Sequence, residues 1–194
     1  MGKLLLAALL LATASKEELR FVHVEEQGYA DSCGYSVAGT LLGLYWGLPF
    51  DEERLLEVAF GSGAARPQKV PDRTLSVAEL KILIGEAGLK SEAFRLKEEA
   101  LIAATARFAP VVVHFYRPRK HFALLLAASP ERLVIADPAR GLRFLSWSRF
   151  RGIWSGVAVL AATANGVTCP PQRIAGAVDS ADRRRDLLEA AVWR

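Results

Sequence analysis

The sequence predicts one α+β domain in which helices pack on an antiparallel sheet. The 194 residues are 52% hydrophobic and 24% charged, the balance of an ordinary soluble domain with a real core. The first half carries apolar residues at helical spacing, and the second half carries short β-branched runs separated by turn residues. Helices followed by a run of adjacent strands are typical of this fold class.

Four helices are predicted in the first half. The first, CGYSVAGTLLGLYWGL, begins at Cys33 and ends before Gly47 and Pro49, and Asp31 or Ser32 is expected to cap it. The next two are DEERLLEVAFG, acidic in its first turn, and SVAELKILIGEAGL. Residues 96–108 make the fourth. FVHVEEQ, before the first helix, is interpreted as a short extended segment.

Five strands are predicted in the second half, in PVVVHFYR, HFALLLAAS, RLVIADP, LRFLSW and SGVAVLAA. The turn SPER joins the second and third of these as a hairpin. The closing ADRRRDLLEAAVWR has helical spacing. These elements indicate a domain over residues 15–165 and a helical C-terminal extension over residues 166–194.

The first 14 residues have the pattern of a signal peptide. Lys3 precedes an apolar run from Leu4 to Ala12, and ATA provides a small-residue cleavage site. The run is too short for a membrane span, which needs about 20 apolar residues. An ordinary amphipathic helix fits poorly because the run has no polar face. We therefore expect a periplasmic or secreted bacterial protein with no stable membrane span after cleavage.

The charge pattern argues against nucleic acid as a partner. The formal charge is +4 and the sequence pI is about 9.3, but the basic residues are scattered apart from RPRK and RRRD. The two cysteines and three histidines show no CxxC or HxxxH spacing, so no metal site is predicted. We expect no cofactor, and a peptide or protein as the partner.

Cys33 can be interpreted in three ways: a small buried hydrophobe, half of a disulfide with Cys169, or a nucleophile. Disulfides are common in exported proteins, but sequence alone does not tell how near Cys169 comes to Cys33. A nucleophile gains from a helix N-terminus, which favours the thiolate, and it needs an imidazole within hydrogen-bond reach. Cys33 meets the first condition.

His121 is the histidine best placed to meet the second. It opens a strand directly after the RPRK loop, whereas His114 alternates with valines inside a strand, as core histidines do. Asp137 ends the next strand of the hairpin, so it should lie across from His121 and hold one tautomer of its ring. Asp-Pro is also a common turn signal, so each residue alone is a weak indication.

Gln27 completes the predicted set. Acyl transfer needs a hydrogen-bond donor for the oxyanion, and a side-chain amide upstream of the cysteine can lie beside its backbone N–H. Without Cys33, this glutamine would be interpreted as a solvent-facing residue of a polar turn. The order Gln, Cys, His, Asp is the order of papain-like enzymes.

Four segments then carry a resemblance to a known family, over about residues 22–162: QGYADSCGYSVAGTLL, TLSVAELKILIGEAGLKSEAF, APVVVHFYRPRKHFALLL and VIADPARGLRFLSWSRFRGIWSGVAVL. They are similar to the C39 peptidases, the papain-like enzymes that process bacteriocins and double-glycine leaders. The resemblance implies a papain-like fold, with Gln27 as oxyanion donor, Cys33 as nucleophile, His121 as base and Asp137 as orienting acid.

Many C39 members are fused to an ABC exporter, whereas this sequence has no Walker A pattern and predicts a stand-alone, exported member. Such members occur beside secretion systems, including those for functional amyloid. The resemblance therefore implies a leader or a secretion-associated protein as substrate and a secretion-system component as a partner. A double-glycine recognition motif does not follow from it.

Two other functions remain open at this stage. The chain could be a noncatalytic peptide-binding module or secretion chaperone that keeps the cleft between the helical and sheet halves for recognition. It could also be a transglutaminase-like or amidase-like acyl transferase, because that chemistry uses the same triad on a related fold. The favoured hypothesis is a cysteine endopeptidase.

Overall fold

The protein is described here by a computed structural model that covers residues 18–61 and 74–192. The described helices are α1 (Glu18–Phe21), α2 (Cys33–Gly39), α3 (Glu52–Phe60), α4 (Val77–Glu86), α5 (Glu98–Phe108), α6 (Trp147–Ile153) and α7 (Pro171–Val192). The strands are β1 (Lys90–Arg95), β2 (Val111–Phe115), β3 (His121–Ala128), β4 (Leu133–Asp137), β5 (Gly141–Leu145) and β6 (Trp154–Ala162). The α+β class predicted from the sequence is confirmed.

The strands form a single antiparallel sheet in the order β1-β6-β2-β3-β4-β5. Consecutive strands β2 to β5 are joined by short turns, and β6 returns to pair between β1 and β2. The β3–β4 hairpin turns at SPER, where the backbone N–H of Ser129 donates to the carbonyl of Arg132 at 2.9 Å. This hairpin brings the start of β3 and the end of β4 next to each other, at the same end of the two strands.

Hydrophobic cores lie on both faces of the sheet, so its central strands are buried on both sides. One core contains side chains of α2, α3, α4 and α7 together with Val112, Phe122 and Leu124. The other contains side chains of α5 and α6 together with Val113 and Leu125. Alternate residues of one strand therefore serve opposite cores, which explains why these strands are apolar throughout.

The early helices begin at the residues that their caps predict. Asp51 caps α3 by accepting the Arg54 backbone N–H at 2.7 Å. Ser76 and Glu79 form a complete capping box at α4. Ser32 stands at the N-cap position of α2 but makes no capping bond; its hydroxyl donates to the carbonyl of Tyr29 at 3.0 Å instead. After Gly39 the same helix continues as a π-helical segment, Thr40–Tyr45.

Some elements differ from the sequence prediction. Strand β1 was not predicted because it is a polar, exposed edge strand with no apolar alternation. Helix α6 was not predicted because its seven residues directly follow a strand pattern. FVHVEEQ was predicted to be extended, but α1 ends within it and a turn follows. The closing helix begins at Pro171, ten residues before the predicted start.

The signal-peptide prediction concerns residues 1–14, which lie outside the described residues. The division at residue 165 also stays a prediction, although the extension does contain α7. Within residues 18–61 and 74–192, none of the helices combines the length and apolar character that crossing a bilayer requires.

Candidate active site

Cys33 is the first residue of α2 and is buried, with 2% of its surface exposed. Its backbone N–H belongs to the first turn, where amide groups point out of the helix without intrahelical partners. The positive end of the helix and any imidazolium beside the sulfur both stabilise a thiolate. Cys33 therefore lies where a nucleophilic thiol would be expected.

His121 is the first residue of β3 and is paired across the sheet with Phe115, whose ring stacks on the imidazole at a centroid distance of 6.2 Å. The register that pairs Leu124 with Ala136 puts Asp137 one position further along β4, diagonally across from His121. The Nε2 of His121 donates to Oδ1 of Asp137 at 2.8 Å. The predicted His–Asp contact is present.

The imidazole interacts with both Asp137 and Cys33. Burial lowers the pKa of His121, but hydrogen bonds to Asp137 and Cys33 and the electrostatic interactions with both groups outweigh it and raise that pKa to about 9. Because Nε2 is held by Asp137, Nδ1 is the ring nitrogen that remains for the sulfur. The ring is therefore positively charged at neutral pH and links the two halves of the site.

Asp137 is almost fully buried, with 2% of its side chain exposed. Burial raises its pKa, but the hydrogen bond and charge of His121, the backbone N–H of Ala139 at 3.0 Å and the nearby guanidinium of Arg143 lower it below its ordinary value overall. Nη1 of Arg143 lies 3.6 Å from Oδ2. The carboxylate thus stays ionised beside the imidazolium.

Gln27 lies in the segment before α2, near the end of β4. Its backbone N–H donates to the carbonyl of Pro138 at 3.0 Å, which ties this segment to the turn after Asp137. Its side-chain Nε2 donates to the carbonyls of Tyr29 at 2.8 Å and Ala30 at 3.1 Å. The amide donors are thus held by neighbouring backbone, and an oxyanion role for Gln27 stays a prediction.

Cys169 is far from the site. Its thiol is buried and donates to the carbonyl of Tyr45 at 3.2 Å, at the opposite end of the helix that begins at Cys33. Twelve residues of helix span roughly 18 Å, so a disulfide between the two would need a large rearrangement. Both are free cysteines. Burial raises the pKa of Cys169 to about 11, which makes it a poor nucleophile.

The other two histidines have hydrogen-bond partners away from the Cys33–His121 pair. Nδ1 of His114 lies 3.0 Å from the hydroxyl of Ser155, and Nε2 of His23 lies 3.0 Å from that of Ser180. Burial lowers the pKa of each. Two loops are candidates to line a substrate cleft: RPRK is an exposed loop directly before β3, and most of GSGAARPQKVPDR, between α3 and α4, lies outside the described residues.

Sequence reasoning missed the groups that support Asp137 and the segment before Cys33. Arg143 alternates with apolar residues in β5, which was the available signal for a side chain near Asp137. Glu52 was interpreted only as an acidic first-turn residue of α3, yet it is 6% exposed and accepts the backbone N–H of Gly28 at 2.8 Å. Among the described residues, no cluster of histidine, cysteine and carboxylate side chains could hold a metal ion.

A helix that starts at a cysteine and packs on an antiparallel sheet carrying a His–Asp pair defines the fold class of papain-like cysteine peptidases. Residues 22–166 match the sequence model of the Peptidase C39 family. This match covers most of the chain, and the chain therefore belongs to the Peptidase C39 family.

Relatives and solved structures agree with this assignment. The chain is 27% identical over 143 residues to "Probable functional amyloid protease FapD" of Pseudomonas aeruginosa, covering 74% of this chain and 62% of that protein. The chain thus matches less than two thirds of the relative's length.

The fold is also similar to two solved peptidase structures. One is the peptidase domain of Streptococcus ComA, a bifunctional ABC transporter involved in quorum sensing, with a TM-score of 0.61, 17% identity, and coverage of 73% of this chain and 98% of that one. The other is a double glycine motif protease from an AMS/PCAT transporter in complex with the leader peptide, with a TM-score of 0.59, 20% identity, and coverage of 71% and 89%. At these identities, the likeness concerns the fold.

Proposed function

We propose that the protein is a cysteine endopeptidase in which Cys33 is the nucleophile, His121 the general acid and base, and Asp137 the group that orients His121. The observation that carries the proposal is the hydrogen-bonded contact of one imidazole with both Asp137 and Cys33. Membership in the Peptidase C39 family supports it.

The reaction proceeds in two halves. The Cys33 thiolate attacks the peptide carbonyl, and the imidazolium of His121 gives its Nδ1 proton to the leaving amine as the C–N bond breaks. The now neutral imidazole then takes a proton from water, which attacks the thioester and releases the acid and the Cys33 thiolate, so that the thiolate and the imidazolium are restored. Asp137 stabilises the imidazolium in both halves.

The oxyanion needs donors close to Cys33. The backbone N–H of Cys33 at the start of α2 is one, and we assign the second to the amide of Gln27. In the structure that amide donates to Tyr29 and Ala30. A rotation of the side chain would free one N–H for the substrate, at the cost of one of these bonds.

For the substrate, we propose a peptide or protein segment in the exported compartment. The signal-peptide pattern of residues 1–14 supports the compartment, and the likeness to a protease named for functional amyloid supports a secretion-associated substrate or partner. Leader peptides are the second substrate class to test, because a structural neighbour is a double glycine motif protease bound to one.

The proposal is tested on a peptide library made by digesting periplasmic and secreted bacterial proteins. Wild-type protein and the Cys33→Ala variant are each incubated with the library, and new N-termini are identified by mass spectrometry. We expect cleavage only with wild type, because the alanine variant has no nucleophile. Cys169→Ser is the matched control: its hydroxyl can still donate to Tyr45, and cleavage should persist.

Equal cleavage by wild type and Cys33→Ala would contradict the proposal. A library left uncut by folded wild type, together with peptides retained equally by both forms, would favour a noncatalytic binding module. Incubation with an added amine reveals acyl transfer, because adducts would then replace free carboxyl ends.

A further inference from the structure

Glu52 is a buried carboxylate beside the segment that leads to Cys33. One carboxylate oxygen, Oε2, accepts the backbone N–H of Gly28 at 2.8 Å, and the carboxylate lies beside Ser32, which is fully buried and whose hydroxyl donates to the carbonyl of Tyr29. Gly28 directly follows Gln27, and Ser32 directly precedes Cys33. Glu52 thus holds the segment at Gly28, next to the predicted oxyanion donor, and lies beside the residue that precedes the nucleophile.

Glu25 fixes Glu52 in turn. Its two carboxylate oxygens accept the backbone N–H of Glu52 at 3.0 and 3.1 Å, at the first turn of α3. The backbone of Glu25 is bound to α2 and its π-helical continuation: its carbonyl accepts from the Ser36 hydroxyl at 2.7 Å, and its N–H donates to the Thr40 hydroxyl at 2.9 Å. The two glutamates therefore join α2, α3 and the segment between them.

On its other side, within the part of the chain that the structure describes, one backbone bond holds the segment, from the N–H of Gln27 to the carbonyl of Pro138 at 3.0 Å. That bond sets the distance from Gln27 to the Asp137 end of β4, but it does not set the direction of residues 28–32. The bond that Gly28 donates to Glu52 supplies a second constraint.

Burying the carboxyl groups of Glu25 and Glu52 lowers the stability of the fold. Burial, together with the charges of Glu52 and Asp51, raises the pKa of Glu25 to about 7, although the bond from the Glu52 backbone N–H lowers it in part. Burial also raises the pKa of Glu52. Its second oxygen, Oε1, is buried with no hydrogen-bond partner among the described residues. Buried carboxyls with perturbed pKa values are concentrated at functional sites.

We propose that Glu52 is a positioning residue of this peptidase: its side chain binds the backbone N–H of Gly28 and so sets the direction of the segment between Gln27 and Cys33. The proposal rests on the peptidase function proposed above. Glu52 is assigned no step of the reaction, and it acts through the segment that it holds.

Two substitutions of Glu52 separate the effect of side-chain length from the effect of charge. Glu52→Gln keeps the length of the side chain and an oxygen that can accept from Gly28, whereas Glu52→Asp keeps the charge and is one methylene too short. We expect Glu52→Asp to lower kcat by about 10- to 100-fold with KM within about 3-fold, because misdirected oxyanion donors weaken transition-state binding. Glu52→Gln should stay within about 3-fold of wild type in both constants.

Glu53→Asp is the matched control, since Glu53 is the next residue of α3 and is exposed. Hydrogen exchange read by mass spectrometry supplies a readout that is independent of activity. In Glu52→Asp, peptides covering residues 25–33 should exchange faster, whereas peptides from β3 and β4 should be unchanged. A thermal melt of each variant checks that it is folded.

The proposal is overturned if Glu52→Asp has the kcat of Glu53→Asp, if Glu52→Gln is the more impaired of the two Glu52 variants, or if exchange increases uniformly through the chain. If wild type has no peptidase activity but Glu52→Asp shows the local change in exchange, the peptidase function is refuted and the positioning role of Glu52 is retained. If exchange at residues 25–33 is unchanged in Glu52→Asp, the positioning role of Glu52 is refuted whatever the activity.

Discussion

At the scale of single residues, the protonation of His121 follows from its position at the start of β3, beside Asp137 and Cys33. An imidazole removed from water would ordinarily lose its proton, yet the bonds and charges of Asp137 and Cys33 reverse this and raise its pKa to about 9. Asp137 can supply that charge because Arg143 and the backbone N–H of Ala139 keep it ionised. His121 therefore carries the proton that the leaving amine needs.

Replacing Asp137 by asparagine should expose this dependence. In wild type, kcat/KM should fall as pH rises through about 9, where His121 loses the proton that the leaving group needs. Without the carboxylate, the pKa of His121 falls, so this alkaline limb moves to lower pH. Turnover should drop by about 100- to 10,000-fold, because the imidazolium is no longer stabilised or oriented.

The measurement is a pH profile of kcat/KM for wild type and Asp137→Asn on one peptide substrate. Asp179→Asn, at an exposed position on α7, serves as the control and should reproduce the wild-type profile. An alkaline limb that stays near pH 9 in Asp137→Asn would show that another group controls the protonation of the site.

At the scale of elements, the helix that begins at Cys33 packs closely against the start of α3 because glycines lie at the contact. A Cβ placed on Gly39 would lie 2.6 Å from Oε2 of Glu25, from the backbone N of Glu52 and from the carbonyl carbon of Asp51. A side chain at Gly43 would collide with the carbonyl oxygen of Phe50 in the same way. Close packing of the nucleophile helix on the first turn of α3 therefore depends on small residues.

Gly39→Ala should destabilise the protein by about 1–3 kcal/mol, because the added methyl group forces the two helices apart. The matched control is Gly85→Ala, which lies inside α4 with nothing within 4 Å of the added Cβ. That change should stabilise by about 0.5–1 kcal/mol, since alanine loses less backbone entropy than glycine in a helix. Urea unfolding of both variants checks the contrast, and equal free energies of unfolding would disprove it.

At the scale of the whole molecule, α7 begins beyond the segment that matches the family, yet it belongs to the main core. Ile174, Ala177 and Ala181 are buried with side chains of the sheet and of α2. Arg132 forms an ion pair with Asp182 at 2.6 Å. The small alanines allow the helix to lie close to the strands.

Ala177→Asp should therefore destabilise the entire fold, because it places an unpaired charge in the core. We expect a loss of at least about 3 kcal/mol, enough to lower the melting temperature by several degrees. Ala175→Asp, on an exposed position of the same helix, should leave it nearly unchanged. If both variants have the melting temperature of wild type, α7 contributes little to the stability of the domain.

Much of this architecture could be predicted from local signals. The helix that opens at Cys33, the capped helices α3 and α4 and the β3–β4 hairpin each carry a strong periodicity, cap or turn. The pairing of His121 with Asp137 followed from the hairpin, because its two ends must meet. Strand β1 and helix α6 could not be predicted, since their residues are polar or few and depend on neighbouring strands for their conformation.

The sequence by itself determined the family, the fold class and the order in which Gln27, Cys33, His121 and Asp137 occur, because periodicity, caps and turns are local properties of the chain. The tertiary structure alone decided that Cys169 lies at the far end of the nucleophile helix, that the Gln27 amide is held by Tyr29 and Ala30, and that Glu25 and Glu52 anchor the segment before Cys33. These contacts depend on how distant elements approach one another, and no local pattern of residues encodes that distance.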